Sequence, residues 1–195
     1  AFAIPSQTLR ENLAVWAPFL PGDASLVSLM KGVELGTTKR MSEVIAEVAA
    51  INADRIAVAS GPNIALEIAR EQPTAILVAS ESLALATDVA KVVRCSYLRS
   101  FVSTDVIGTE FGGVLKNLIA IAIGIADGVG FGENTKASIM TRGLAEITDF
   151  ATALGAQRDT MMGLAGMGDL IATCMSPLSR NFTAGRLLGQ GYSYV

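Results

Sequence analysis

Along the first hundred residues, short apolar runs alternate with stretches in which apolar positions return every three or four residues. The spacing predicts strands over 24–30, 55–59, 74–79 and 97–103. Between them it predicts helices over 38–50, over 62–70 after a Gly-Pro turn, and over 83–93. The opening AFAIPSQTLRENLAVW reads as a strand end, a proline-marked turn and a helix capped by Ser6, with Leu9, Leu13 and Trp16 at helical spacing. From about residue 104 the pattern changes. Helical segments cover 105–129 and 134–154, the latter stopped by Gly155, with shorter ones around 168–173 and 180–188. No β-rich run returns. Strands alternating with helices imply a mostly parallel sheet, so the expected fold class is α/β followed by all-α, divided into 1–104 and 105–195.

Composition narrows the function classes. Of the 195 residues, 51% are hydrophobic, ample for a packed core and enough to supply the interface of a homodimer. A net charge of −3 offers no basic footprint for nucleic acid and no polybasic patch for a membrane surface. The longest apolar stretch, 117–126, falls well short of the roughly 20 residues a membrane-spanning helix needs, so no membrane span is expected. The start lacks the pattern of a cleaved signal peptide and reads as mid-fold, which sets the expectation of a cytoplasmic protein. Cys95 and Cys174 are far apart and form no ligand pattern, pointing to reduced thiols and no metal. The chain has no histidine, which removes Ser-His-Asp and Cys-His systems and every His-based metal site. Any general base must be Lys, Asp, Glu, Tyr or Cys.

Four stretches carry candidate chemistry. In MKGVE, Lys31 follows an apolar strand, at the sheet edge where α/β proteins bind ligands; a surface lysine is the plainer alternative. In ASGPNIALE, a strand runs through Gly61 into a helix, which suits close approach of a ligand or simply an ordinary turn. In GGVLKNLIAIAIGIA, Lys116 stands alone among apolar residues. It either snorkels outward, pairs with Glu110 or Asp127, or faces a cleft; both acids lack the three- or four-residue spacing of a helical pair. In GDLIATCMSPLSRN, Asp169 and Thr173 share a helical face, and Ser179, Arg180 and Asn181 supply a hydroxyl, a guanidinium and an amide suited to phosphate. Ser179 equally suits a helix cap. Two glycine clusters, DGVGFGENTK and GLAGMGD, follow helices rather than strands and read as tight helix connections instead of phosphate loops.

Together PSQTLR, KGVE, SGPNIALE, GGVLKN, TRGLAE, GLAGMGDLIATC and SRNFTAGRLLGQG resemble the bacterial-type NAD(P)-dependent glycerol-3-phosphate dehydrogenases, over essentially the whole chain. The resemblance implies the C-terminal part of a Rossmann-like parallel-sheet domain joined to a helical substrate domain. It implies an internal portion, without the glycine-rich dinucleotide turn and the last helices, that alone binds cofactor poorly. The implied reaction interconverts sn-glycerol 3-phosphate and dihydroxyacetone phosphate with NAD or NADP, supplying glycerophospholipid synthesis. By motif, Lys116 resembles the proton acceptor. Lys31, Gly61, Asn63, Asn117, Asp169, Thr173, Ser179, Arg180 and Asn181 fall at substrate positions, and Lys31, Ala65 and Arg180 at cofactor positions. Many relatives carry Ser where this chain has Asn63. A solvated lysine, with a pKa near ~10.4, is a poor base at neutral pH. Burial and a nearby cation such as Lys31 would lower it, while Asp169 could hold either lysine. Two rivals remain: a ketopantoate-type reductase, against which SRN speaks, and a non-catalytic helical interaction module. The module predicts that Lys116, Asp169 and Arg180 point to separate surfaces.

Overall fold

The computed structural model describes residues 1–193. Helix α1 (Leu9–Trp16) is followed by β1 (Leu26–Ser28), α2 (Met41–Ala49), β2 (Ile56–Ser60), α3 (Ala65–Ala69), β3 (Thr74–Ala79), α4 (Leu83–Val93) and β4 (Leu98–Ser103). Then come α5 (Val106–Val129), α6 (Glu133–Ala153), α7 (Arg158–Met162), a π-helical turn (Leu164–Gly168), α8 (Asp169–Met175) and α9 (Arg180–Gly189). Every described element after Ser103 is helical.

The four strands lie side by side in chain order. β1 pairs parallel with β2, and β3 parallel with β4, but β2 and β3 run antiparallel with Val58 opposite Ala79. Two of the three pairings are parallel, the mostly parallel sheet that the alternation implied, and connector length explains the one reversal. A parallel return must carry the chain back along a strand, and at about 1.5 Å per residue a nine- or eleven-residue helix nearly does so. The five residues of α3 rise only about 7.5 Å, so the chain reverses instead. The helix predicted over 62–70 is four residues too long, because the chain is still extended at Ile64 and α3 ends at Ala69.

β2 is buried at all five positions. Ala57 and Ala59 pack with Ala86 and Ala90 of α4, while Val58 meets Val106 of α5. Leu9 and Leu13 of α1 join Met41, Val44 and Ile45 of α2 over β1. Phe2 forms a parallel bridge to Ser28, which supports the reading of the opening as a strand end. The Ser6 cap is not observed. A 3-10 turn (Ser6–Thr8) precedes α1, and its Thr8 N–H bonds the Pro5 carbonyl, so the backbone supplies what a side-chain cap would. Ser6 packs on Gly32 instead.

α5 is the axis of the helical half. By length and composition alone it could cross a membrane, yet 56% of its most apolar window is buried within this fold, as for a core helix. Its closest neighbour is α9. A Cβ on Gly185 would run into the Ile121 backbone, and one on Gly124 into the Phe182 carbonyl, so bare glycines let the two backbones touch. That contact brings Arg180, at the first position of α9, alongside α5. The Gly185→Val substitution is expected to cost about 1–3 kcal/mol through overpacking. Its thermal unfolding midpoint should fall by roughly 3–10 °C, measurable by circular dichroism; an unchanged midpoint would show that the helices are not in backbone contact.

Candidate active site

The site is assembled from three distant pieces of chain. Lys31 stands just beyond β1, Lys116 in the middle of α5, and Asp169 at the first position of α8. The preceding π turn sets Asp169: the Gly168 N–H bonds the Gly163 carbonyl five residues back, at 3.0 Å. Asp169 is then shared. Lys116 Nζ donates to its Oδ1 at 2.5 Å and Lys31 Nζ to its Oδ2 at 2.5 Å. Lys116 also donates to Thr173 Oγ1 at 2.6 Å, and Lys31 reaches the Gly61 carbonyl at 3.5 Å. Asp169 and Thr173 do share a face of α8, and both meet the same ammonium.

Lys116 does not snorkel; its side chain is 7% exposed. Its ammonium pairs with neither Glu110 nor Asp127, which hold Arg40 and Lys136. Burial is the main force lowering its pKa to about 8, followed by the charge of Lys31; the Asp169 carboxylate opposes both. One carboxylate divided between two cations cannot cancel both effects. The drop corresponds to about 3 kcal/mol against the charged form. The neighbouring Cys174 thiol is pushed up to about 11, mainly by burial.

Beside this cluster opens a cleft of about 660 Å³, lined by Ser6, Gln7, Lys31, Asn117, Arg180 and Asn181 among others. Lys31 is common to cluster and cleft. Among the described residues, the side chains of Asn117, Arg180 and Asn181 have no hydrogen-bond partner, so their donors are available to the cleft. Three candidates stand apart. The Ser179 hydroxyl caps α9 by accepting from the Phe182 N–H at 3.2 Å, as the plainer reading allowed. Asn63 donates through Nδ2 to the Ala75 carbonyl of β3 at 2.9 Å, and Ala65 is exposed at the start of α3. Asn63 Oδ1 and Ser60 Oγ are buried without partners, on either side of Gly61.

Sequence reasoning passed over Gly113. A Cβ there would lie 2.9 Å from Ser60 Oγ and 3.3 Å from the Lys31 stem, so the bare position lets Lys31 lie against α5. The signal was available in the paired glycines of FGGVLK, one turn before Lys116. It also passed over Ser6 and Gln7 as cleft residues; the bridge from Phe2 to β1 brings that segment here, and Gln7 Nε2 ties it to the loop by donating to the Val33 carbonyl at 2.7 Å.

This is a two-part architecture, a sheet half and a helical half, with a lysine–carboxylate–lysine centre joining them. Residues 1–86 match the family described as NAD-dependent glycerol-3-phosphate dehydrogenase N-terminus, and 105–195 the corresponding C-terminus. The chain belongs to the NAD-dependent glycerol-3-phosphate dehydrogenase family. It is 68% identical to a glycerol-3-phosphate dehydrogenase (NAD(P)+) of Leifsonia xyli subsp. xyli, over 99% of this chain and 52% of the relative. It is 58% identical to one of Streptomyces griseus, over 96% of this chain and 56% of the relative. The chain therefore spans about half the length of these relatives. The crystal structure of the Coxiella burnetii glycerol-3-phosphate dehydrogenase superposes with a TM-score of 0.91 at 34% identity, covering 97% of this chain and 57% of that one. The Saccharomyces cerevisiae enzyme GPD1 gives 0.84 at 28%, covering 97% and 56%.

The two thiols should differ sharply in reactivity, because Cys95 is exposed whereas Cys174 is buried beside the lysine cluster. Titration with a chromogenic disulfide at pH 8 should label Cys95 rapidly and Cys174 only after denaturation. Fast native labelling of both would contradict the packing around α8.

Proposed function

We propose that the protein built on this chain interconverts sn-glycerol 3-phosphate and dihydroxyacetone phosphate with NAD(H) or NADP(H), with Lys116 as the proton carrier. The observation that carries this reading is the buried Lys116, its pKa near 8, paired through Asp169 with a cleft-lining lysine. The names of the relatives support the substrate and cofactor. In this reading residues 1–104 belong to the nucleotide-binding part and 105–195 to the substrate part.

The residues present suit a phosphorylated three-carbon substrate beside a nicotinamide. The Arg180 guanidinium and the Asn117 and Asn181 amides offer free donors to a phosphate and hydroxyls, while Leu29 and Met30 give the same cleft an apolar wall. Lys31, Ala65 and Arg180 would hold the cofactor, and Lys31, Gly61, Asn63 and Ser179 would complete the substrate surround. Bound NAD(P)(H) supplies the exchange of hydride at C2. Lys116 does the proton work at the C2 oxygen. In reduction its ammonium gives a proton as the carbonyl oxygen gains charge, leaving a hydroxyl; in oxidation the neutral amine takes that proton back. Thr173 and Asp169 fix the Nζ direction, and because Asp169 is shared with Lys31 its charge does not cancel the burial that lowers the Lys116 pKa.

The interaction-module rival required Lys116, Asp169 and Arg180 to face separate surfaces. Lys116 and Asp169 are bonded, and Arg180 shares a cleft with the lysine on the other side of that carboxylate. No relative reported above is a ketopantoate reductase.

Three outcomes follow for the enzyme at full family length, assayed by nicotinamide absorbance. Lys116→Met should lower kcat at least ~100-fold; a near-normal kcat would refute the assignment. Arg180→Ala should chiefly raise KM for dihydroxyacetone phosphate, by roughly 10–100-fold, the loss of a charge-assisted contact. Because reduction needs protonated Lys116 and oxidation the neutral amine, reduction should fall and oxidation rise as pH passes through about 8. Rates independent of pH in both directions between roughly 6.5 and 9.5 would exclude Lys116 as the titrating group.

A further inference from the structure

Glu110 is a buried carboxylate outside the lysine cluster, 7% exposed, on the same helix as Lys116. Three donors surround it. The Ser42 N–H gives to Oε1 at 2.9 Å, and the Ser42 hydroxyl and Arg40 Nη1 give to Oε2 at 2.6 and 2.8 Å. Burial pushes this carboxyl's pKa up, while Ser42 and Arg40 pull it back. Such a group is expensive to bury and is kept only where its hydrogen bonds are complete.

What it grips is informative. Arg40 ends the loop that begins with Lys31. That loop closes as a small hairpin: Arg40 bridges antiparallel to Val33, the Glu34 N–H bonds the Lys39 carbonyl at 2.9 Å, and Thr38 N–H returns to Glu34 at 2.9 Å. Arg10 holds the hairpin from outside through Glu34 at 2.7 Å. Lys31 lies two residues before Val33, so fixing Arg40 fixes the base from which Lys31 projects. Glu110 makes that attachment, and it makes it to α5, the helix that carries Lys116.

We propose that Glu110 is a positioning residue of the reaction, clamping the Lys31 hairpin to α5 and so setting the distance between the two ammoniums. The inference rests on the function proposed above. It acts through Lys31, whose charge is the second cause of the lowered Lys116 pKa. The groups facing Lys116 are Lys31 from the hairpin side and Asp169, Thr173 and Cys174 from α8. Those facing Glu110 are Arg40 and Ser42. If the clamp is released, Lys31 recedes and Lys116 regains affinity for its proton. The sign of this effect is diagnostic. Simple loss of a negative charge at Glu110 would make the Lys116 ammonium less stable and lower its pKa, whereas withdrawal of Lys31 raises it.

The test compares pH profiles of kcat/KM for glycerol 3-phosphate oxidation in the full-length enzyme, its Glu110→Gln variant and the milder Ser42→Ala, with thermal midpoints recorded beside them. The expected result is an apparent pKa raised by roughly half a unit or more in Glu110→Gln, with a smaller rise in Ser42→Ala. At pH 7.5, kcat should drop roughly tenfold in Glu110→Gln, as for a misplaced catalytic group. A lowered midpoint with an unmoved or lowered pKa in the variants that fold would overturn the proposal and leave Glu110 a purely structural residue. Should Glu110→Gln not fold, Ser42→Ala decides by the same criterion. If the parent enzyme itself turns over neither glycerol 3-phosphate nor dihydroxyacetone phosphate, the underlying function is wrong; if the parent is active with a pKa near 8 and the variants match it, only the clamp is wrong.

Discussion

The site depends on one carboxylate held between two ammoniums. Asp169 offers one oxygen to Lys116 and the other to Lys31, and these three residues come from α8, α5 and the loop after β1. Without Asp169, two positive charges would face each other in a largely buried place, a situation a fold relieves by separating them or by losing a proton. With it, the trio carries one net positive charge at the edge of a cleft that also holds the Arg180 guanidinium. That is a field suited to an anion before any individual contact is counted. The π turn that starts α8 at Asp169 and the glycine contacts that seat α9 against α5 both serve to deliver side chains to this spot.

The apolarity of α5 has the same logic. A helix this hydrophobic invites comparison with a membrane span, yet its buried face is where Lys116 sits. Apolar surroundings are what lower the pKa of an amine, and here they are the largest contribution. The composition of 106–129 is thus a requirement of the proton chemistry proposed for Lys116 as well as of packing.

Much of the element order was legible because it is local. β3 and α4 occupy the segments their periodicity predicted, 74–79 and 83–93, and Lys116 stood out because it interrupts an apolar run. Contacts between partners far along the chain were harder to read. Those of Asp169 with Lys116 and Lys31, 53 and 138 residues apart, were expected only once the family resemblance had brought the three together. Glu110 was weighed only as a helical partner for Lys116 and set aside on spacing. The spacing argument was sound, but its actual partners, Arg40 and Ser42, lie 70 and 68 residues away. The reversal between β2 and β3 was missed for a local reason. Pro62 and the Gly-Pro turn suggested a helix long enough to cross back, and α3 is too short for that.

The two lysines share a carboxylate but not a surrounding, and the difference suits the separate roles proposed for them. Lys31 is 27% exposed at the side chain and lines the cleft, so its ammonium can meet an incoming anion while keeping some water. Lys116 is 7% exposed and its remaining bonds go to Thr173 and Asp169, so its proton is held by little besides one shared charge. A cation needed for binding is best left partly solvated, because full burial would cost it the charge that makes it useful. A proton carrier needs the opposite treatment, enough burial that the neutral form is within reach at physiological pH. Placing one lysine on a sheet-edge loop and the other inside an apolar helix meets both demands with a single aspartate between them.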